Sequence, residues 1–309
     1  MTSNIKIKVV GVGGSGGNAI SRMMKCKIKG VELIAVNADA QDLQKTRAHK
    51  RVRIGKNLTK GLGTGMNPEK GRAAAEEQRE EIREVLEGSD MVFITCGLGG
   101  GCGSGASLVV AEEARNRGAL ILAVVTTPFS FEGIQRMEIA RNSQRLLKEK
   151  VDTLISISND RLFSVLESKT TVLNAFWLCD EILRQAVQGI SDLIVLPGII
   201  NIDFADVKAI MKDSGTALFG IGRAKGSERA VEAAHRALNS PLLDVSCRGA
   251  KGVLFNVSGG RDISLTEVDE IAKIITKEIS PEAKVIFGAI QDEKLLKGEI
   301  KVTVIATGF

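Results

Sequence analysis

The chain has 309 residues, long for one hydrophobic core and suited to two modest domains. Apolar residues make up 44% and charged residues 26%, a profile that excludes an intrinsically disordered chain. No stretch approaches the roughly 20 apolar residues that span a bilayer, and MTSNIKIKVV runs into a strand pattern with no signal-peptide core, so a cytoplasmic protein without membrane insertion is expected.

Five cysteines form no C-x-x-C pair, and two histidines are too few to complete a zinc site. A reducing compartment fits. The net charge of +5 is concentrated in residues 44–60, QKTRAHKRVRIGKNLTK, with seven Lys/Arg and no acid. That stretch lacks the aromatics that stack on bases, so no nucleic-acid partner is expected. It reads as a solvated loop face or as a contact with an acidic neighbour, for which Glu76–Glu87 (EEQREEIREVLE) is one complement.

In chain order, Ile5–Val10, Val31–Val36, Met91–Thr95, Leu120–Val125 and Thr153–Ile157 read as strands. Amphipathic stretches lie between most of them, which predicts a parallel sheet with helices on both faces and a ligand site at the strands' carboxyl ends. Residues 172–189 keep helical spacing up to Gly189 and read as one long helix. After Pro197-Gly198, strands are predicted at Ala217–Ile221, Gly252–Val257, Lys284–Ala289 and Glu299–Thr307, with helices near 227–239 and 265–278. The expected organisation is therefore α/β throughout. A nucleotide-binding domain over 1–190 ends in the long helix, and a smaller α/β domain covers 191–309.

The first chemical signal is KVVGVGGSGGNAISRMM, where Gly11, Gly13 and Gly16 fit G-x-G-x-x-G between a strand and a helix. Alone it fits a dinucleotide-binding oxidoreductase equally, with Asp39 where a ribose-binding acid would stand. The second signal places six glycines in residues 97–105, again between strand and helix. Such density marks backbone that bends sharply or lies against a ligand. Two such loops at neighbouring strand ends could wrap a triphosphate. Neither contains the G-x-x-x-x-G-K-[ST] lysine, so phosphate charge is left to backbone amides, magnesium and a nearby arginine. The oxidoreductase reading leaves the second loop unexplained and offers only His49, in the basic stretch, and His235, in an Ala-rich helix, for proton transfer.

These residues together resemble the FtsZ branch of the tubulin family. GVGGSGGN matches its first glycine loop and GGGCGSG its signature loop, usually GGGTGTG. FSFEG, SNDRL, QGISDLI, INIDFADV and TVIATGF also match, so the resemblance spans nearly the whole chain. It implies a tubulin-like fold whose parallel-sheet nucleotide domain is joined by a long central helix to a smaller domain. It also implies a GTPase activated by polymerisation, with GTP or GDP and Mg2+ as cofactors and the ion held mainly by the phosphates.

The resemblance assigns the phosphates to the loop residues Gly13, Gly14, Ser15, Gly16, Gly17 and Asn18, and to Gly97, Gly99, Gly100, Gly101, Cys102 and Gly103. Glu132 and Arg136 would meet ribose and phosphate oxygens; on spacing alone they could equally be a surface ion pair. Phe176 would stack on the base and Asp180 would accept from guanine's two donors, with Asn159 completing the nucleoside contacts. On spacing alone Phe176 is a core residue and Asp180 a solvated one.

In the family, Asn201, Asp203 and Asp206 enter the next subunit's pocket and polarise the attacking water; their spacing also suits simple helix capping. The implied partner is the chain itself, head to tail, in a division-site filament. Membrane-tethering and regulatory division proteins are further implied partners, unidentifiable without the family's C-terminal linker and peptide. A GTP-binding scaffold with little turnover is the alternative. Cys102 and Ser104 depart from the family threonines, Cys102 being a weaker donor and open to oxidation, and Ser15 replaces a common glycine.

Overall fold

The computed structural model describes residues 5–164, 169–240, 247–292 and 295–309. The chain forms two compact units, Met1–Gln188 and Gly189–Phe309.

In the first unit, six strands lie in the order β3-β2-β1-β4-β5-β6. They are β1 (Ile7–Val12), β2 (Val31–Asn37), β3 (Lys50–Arg53), β4 (Met91–Gly97), β5 (Leu120–Thr127) and β6 (Thr153–Ser158), and every pairing among them is parallel. The helices are α1 (Gly13–Lys25), α2 (Ala40–Lys45), α3 (Pro68–Glu77), α4 (Arg79–Val85), α5 (Gly101–Asn116), α6 (Ile134–Lys148) and α7 (Val172–Val195), whose last seven residues belong to the second unit. β1 is buried at all six positions, as a strand covered on both faces must be. Alternate residues such as Val10, Ile34, Val92 and Ile121 pack with Ala74, Ile82, Val109 and Leu147 in one core.

β1 pairs with β2 on one side and β4 on the other, so the strand order reverses there. Open sheets bind ligands outside the carboxyl ends at such a switch point. The glycine loops follow β1 and β4.

The second unit holds α8 (Phe204–Met211), β7 (Gly215–Lys225), α9 (Arg229–Leu238), β8 (Gly252–Gly259), α10 (Leu265–Lys277), β9 (Lys284–Gln291) and β10 (Glu299–Thr307). β10 lies antiparallel between β7 and β8, and β9 is parallel to β8. Val253, Phe255, Val302 and Val304 form its core with the alanine face of α9 and Ile271 and Ile275 of α10.

Three local expectations change. α7 does not stop at Gly189 but runs to Val195, because a glycine inside a helix costs only about 1 kcal/mol. Its missing side chain also leaves room for Thr303 Cγ2, which would lie 3.2 Å from a Cβ there. The basic stretch is not simply a loop: Lys50–Arg53 is the edge strand β3, and His49 accepts the Leu33 N–H on Nδ1 at 2.8 Å. Its acidic complement lies in the same chain. Lys56 pairs with Glu81, and Glu77 accepts the Asn57 N–H at 2.8 Å.

Candidate nucleotide-binding site

α1 begins at Gly13, directly after β1, and α5 at Gly101. Neither helix has a side-chain cap or an acid in its first turn, whereas Asp39 caps α2, Asn67 caps α3 and Ser264 caps α10. The first N–H groups of α1 and α5 therefore have no acceptor from an N-cap side chain. Together with the helix dipole they make two anion-binding ends.

Both ends face one cavity of about 700 Å³, within the size range of nucleotide and cofactor pockets. From the first loop Gly13, Gly14, Ser15 and Asn18 line it; from the second, Gly97, Gly100, Gly101, Cys102 and Gly103. The loops touch, since a Cβ on Gly13, whose φ is +73°, would sit 3.1 Å from the Gly103 N.

Gly16, Gly17 and Gly99 do not line the cavity. Gly16 lets α1 press onto β4, where a Cβ would meet the Thr95 carbonyl oxygen at 2.5 Å. A Cβ on Gly17 would meet Thr46 Oγ1 at 3.0 Å. Gly99 donates its N–H to the buried Ser104 Oγ at 2.9 Å, so Ser104 holds the turn.

Glu132, Arg136, Asn159, Phe176 and Asp180 line the same cavity. Glu132 and Arg136 do not share a helix: Gly133, at φ +103°, separates a short 3-10 turn (Ser130–Glu132) from α6. They pair nonetheless at 2.6 Å, while the other Glu132 oxygen accepts the Phe129 N–H at 2.9 Å. Phe176 is 38% exposed, with its ring edge-on to Phe129 at 5.5 Å, so it is no core residue. Asn159 is buried, and its Oδ1 has no hydrogen-bond partner among the described residues. That orphaned acceptor calls for a donor from a ligand.

Asp180 is buried too, against the expectation from spacing. Burial pushes its carboxyl up to about 6, opposed by Arg22, whose Nη2 donates to Asp180 Oδ2 at 3.4 Å. Burial likewise pushes the Cys102 thiol up to about 11, which keeps it protonated and argues against the oxidation expected from its sequence.

Several lining residues carry little sequence signal: Asn37, Asp42, Thr64, Met66, Thr126 and Pro128. The GLGTGMN turn and the FSFEG motif adjoin most of them. Asp39 lines the cavity, but its Oδ1 accepts the Gln41 and Asp42 N–H groups, so it acts as the cap of α2.

Asn201, Asp203 and Asp206 lie in the second unit and do not line this cavity. Asn201 Oδ1 accepts the Gly198 N–H at 2.7 Å. Asp203 occupies the N-cap position of α8, yet its side chain makes no capping bond, so the capping explanation fails. Asp203 and Asp206 are both exposed.

The tubulin/FtsZ family GTPase domain model matches residues 6–167, and the FtsZ family C-terminal domain model matches residues 215–309. This chain belongs to the tubulin/FtsZ family and is a GTPase. Cell division protein FtsZ 1 of Thermococcus kodakarensis is 54% identical over 303 residues, covering 98% of this chain and 80% of that one. An FtsZ dimer of M. jannaschii superposes with a TM-score of 0.94 at 47% identity, over 98% of this chain and 88% of that one. CetZ2 from Haloferax volcanii, solved as a GTPγS-bound protofilament, shares the fold at 21% identity, with a TM-score of 0.81 over 98% and 92% of the two chains. Membership in the FtsZ family removes the oxidoreductase reading, and His235 is exposed on α9.

Proposed function

We propose that the chain is a cell-division GTPase that stacks head to tail in the cytoplasm at the division site and cleaves GTP only where two copies meet. The observation that supports this reading is a cavity lined by both glycine loops, Glu132, Arg136, Phe176 and Asp180, while Asp203 and Asp206 are not among the described residues that line it. Those acids are exposed in the second unit, and their side chains have no partner among the described residues. A neighbouring copy would bring them to the γ-phosphate, where they polarise the attacking water.

In the pocket, the amides opening α1 and α5 hold the phosphates, and the Glu132–Arg136 pair meets the ribose and adjacent oxygens. Phe176 stacks on the base, Asp180 accepts its two donors, and Asn159 Oδ1 completes the nucleoside contacts. Among the described residues no group of three or more His, Cys, Asp or Glu could hold a metal. A magnesium ion carried by the phosphates with its own waters fits that donor set, and it would neutralise charge at the scissile bond. Because different faces meet, the contact propagates as a filament. Membrane-tethering and regulatory division proteins would dock on that polymer.

The test is pelleting with GTP, GDP and ATP at several protein concentrations while phosphate release is followed. Turnover per molecule should rise with concentration, only with GTP. Turnover that stays flat as polymer accumulates would instead favour a scaffold with little hydrolysis.

A further inference from the structure

Arg22, in the last turn of α1, does not line the cavity, yet its surroundings are specific. Its Nη2 reaches Asp180 Oδ2 at 3.4 Å, across 158 residues of chain. Its guanidinium lies over the ring of Trp177, 4.9 Å from the centroid. The Nε is buried and has no hydrogen-bond partner among the described residues. An arginine recruited for structure generally spends its five donors on several acceptors. Here the contacts are one carboxylate and one aromatic face, a cation–π arrangement that fixes the plane of the group.

We propose that Arg22 is a specificity-determining positioning residue: paired with Asp180 and stacked on Trp177, it keeps that carboxylate an acceptor of two hydrogen bonds, which guanine matches and adenine does not. Guanine offers N1–H and the 2-amino group, two donors side by side, and only an ionised carboxylate accepts both. A protonated carboxyl offers one donor and one acceptor, the pattern that pairs with adenine's N1 and 6-amino group. The protonation state of Asp180 is thus a base-selectivity setting, and burial works against the ionised form.

The other titratable groups around Asp180 do not offset that burial. Cys179 on the same helix is a neutral thiol pushed up to about 12, and Glu181 is paired with Arg184. Glu132 and Arg136, on the segment and helix that share the cavity, satisfy each other at 2.6 Å. Among the described residues, Arg22 is the cation in contact with Asp180.

This inference rests on the guanine-pocket reading above, so its test separates the two. Guanosine, inosine and adenosine diphosphates, which have no γ-phosphate to lose, are titrated calorimetrically into the full chain from pH 6.5 to 8.5. The wild type, Arg22→Met and Arg22→Lys are compared, each checked for folding by its thermal melt. The wild-type profile should be nearly flat. Arg22→Met should bind GDP ~4-fold more weakly at pH 6.5 than at pH 8.5, as expected for an upward shift of about one pKa unit from a value near 6. Its preference for GDP over IDP and ADP should shrink in step, and Arg22→Lys, which keeps the charge, should follow the wild type. A loss in Arg22→Met that is the same at every pH, a profile as flat as the wild type's, or a lysine variant no better than methionine would overturn the assignment. A wild type that fails to prefer GDP over ADP would instead sink the pocket reading itself.

Discussion

Asp180 shows how burial changes the chemistry of a residue type that usually sits in solvent. Its folded pKa is raised from 3.8 to about 6, so the folded state binds the proton more tightly than the unfolded chain. The sign follows: the carboxyl imposes no penalty below the unfolded value, and a penalty grows as pH rises through the folded one. At neutral pH the buried charge costs the ligand-free protein about 1–3 kcal/mol. Asp180→Asn should therefore raise the melting temperature at pH 7, remove the stability change between pH 4 and 6, and weaken GTP binding at least tenfold. Thermal melts across that range and a GTP titration check it; an unchanged GTP affinity would exclude Asp180 from the base contact.

At the element scale, the second unit is tied together at Arg229, the first residue of α9. Its side chain is 8% exposed and meets Asp262 Oδ2 at 2.6 Å and Glu267 Oε1 at 2.5 Å, and Nη2 donates to the Asp262 carbonyl at 2.9 Å. Glu267 is also the reciprocal partner in the Ser264 capping box of α10, so one arginine joins the starts of two helices. Removing the arginine leaves two partly exposed carboxylates without their partner and costs about 1–3 kcal/mol. Arg229→Leu should lower the denaturation midpoint accordingly, while nucleotide binding by material that remains folded is retained. None of this pairing is readable locally, because Arg229 and Glu267 belong to different helices 38 residues apart. The capping box Ser264-x-x-Glu267, by contrast, is a short-range pattern.

At the scale of the whole molecule, the separation of pocket and acids makes a complementation experiment decisive. Asp206→Ala should bind GTP normally, since Asp206 does not line the cavity, yet hydrolyse it at a small fraction of the wild-type rate. Its fold should be nearly unperturbed because Asp206 is exposed. Mixing Asp206→Ala with Asp180→Asn should restore phosphate release, because the intact acids of one variant can meet the intact pocket of the other. With random head-to-tail stacking at equal amounts, about a quarter of contacts would be productive. If the mixture stays as inactive as its parts, the catalytic centre is not shared between copies.

The amino-acid sequence by itself determined the elements whose signals are periodic and short-ranged. These include the alternation of buried strands with amphipathic helices, the glycine turns after β1 and β4, and the phenylalanine and acid one turn apart on α7. Those patterns follow from backbone geometry within a few residues, so neighbours along the chain suffice to reveal them. The tertiary structure alone decided that the basic and acidic runs pair with each other, that Asp203 leaves its helix uncapped, and that Asp180 lies buried against Arg22, itself stacked on Trp177. Each of these depends on which distant segments the sheet order brings together and how much water it excludes from between them. The energy of a charge is set by that surrounding rather than by its position in the chain.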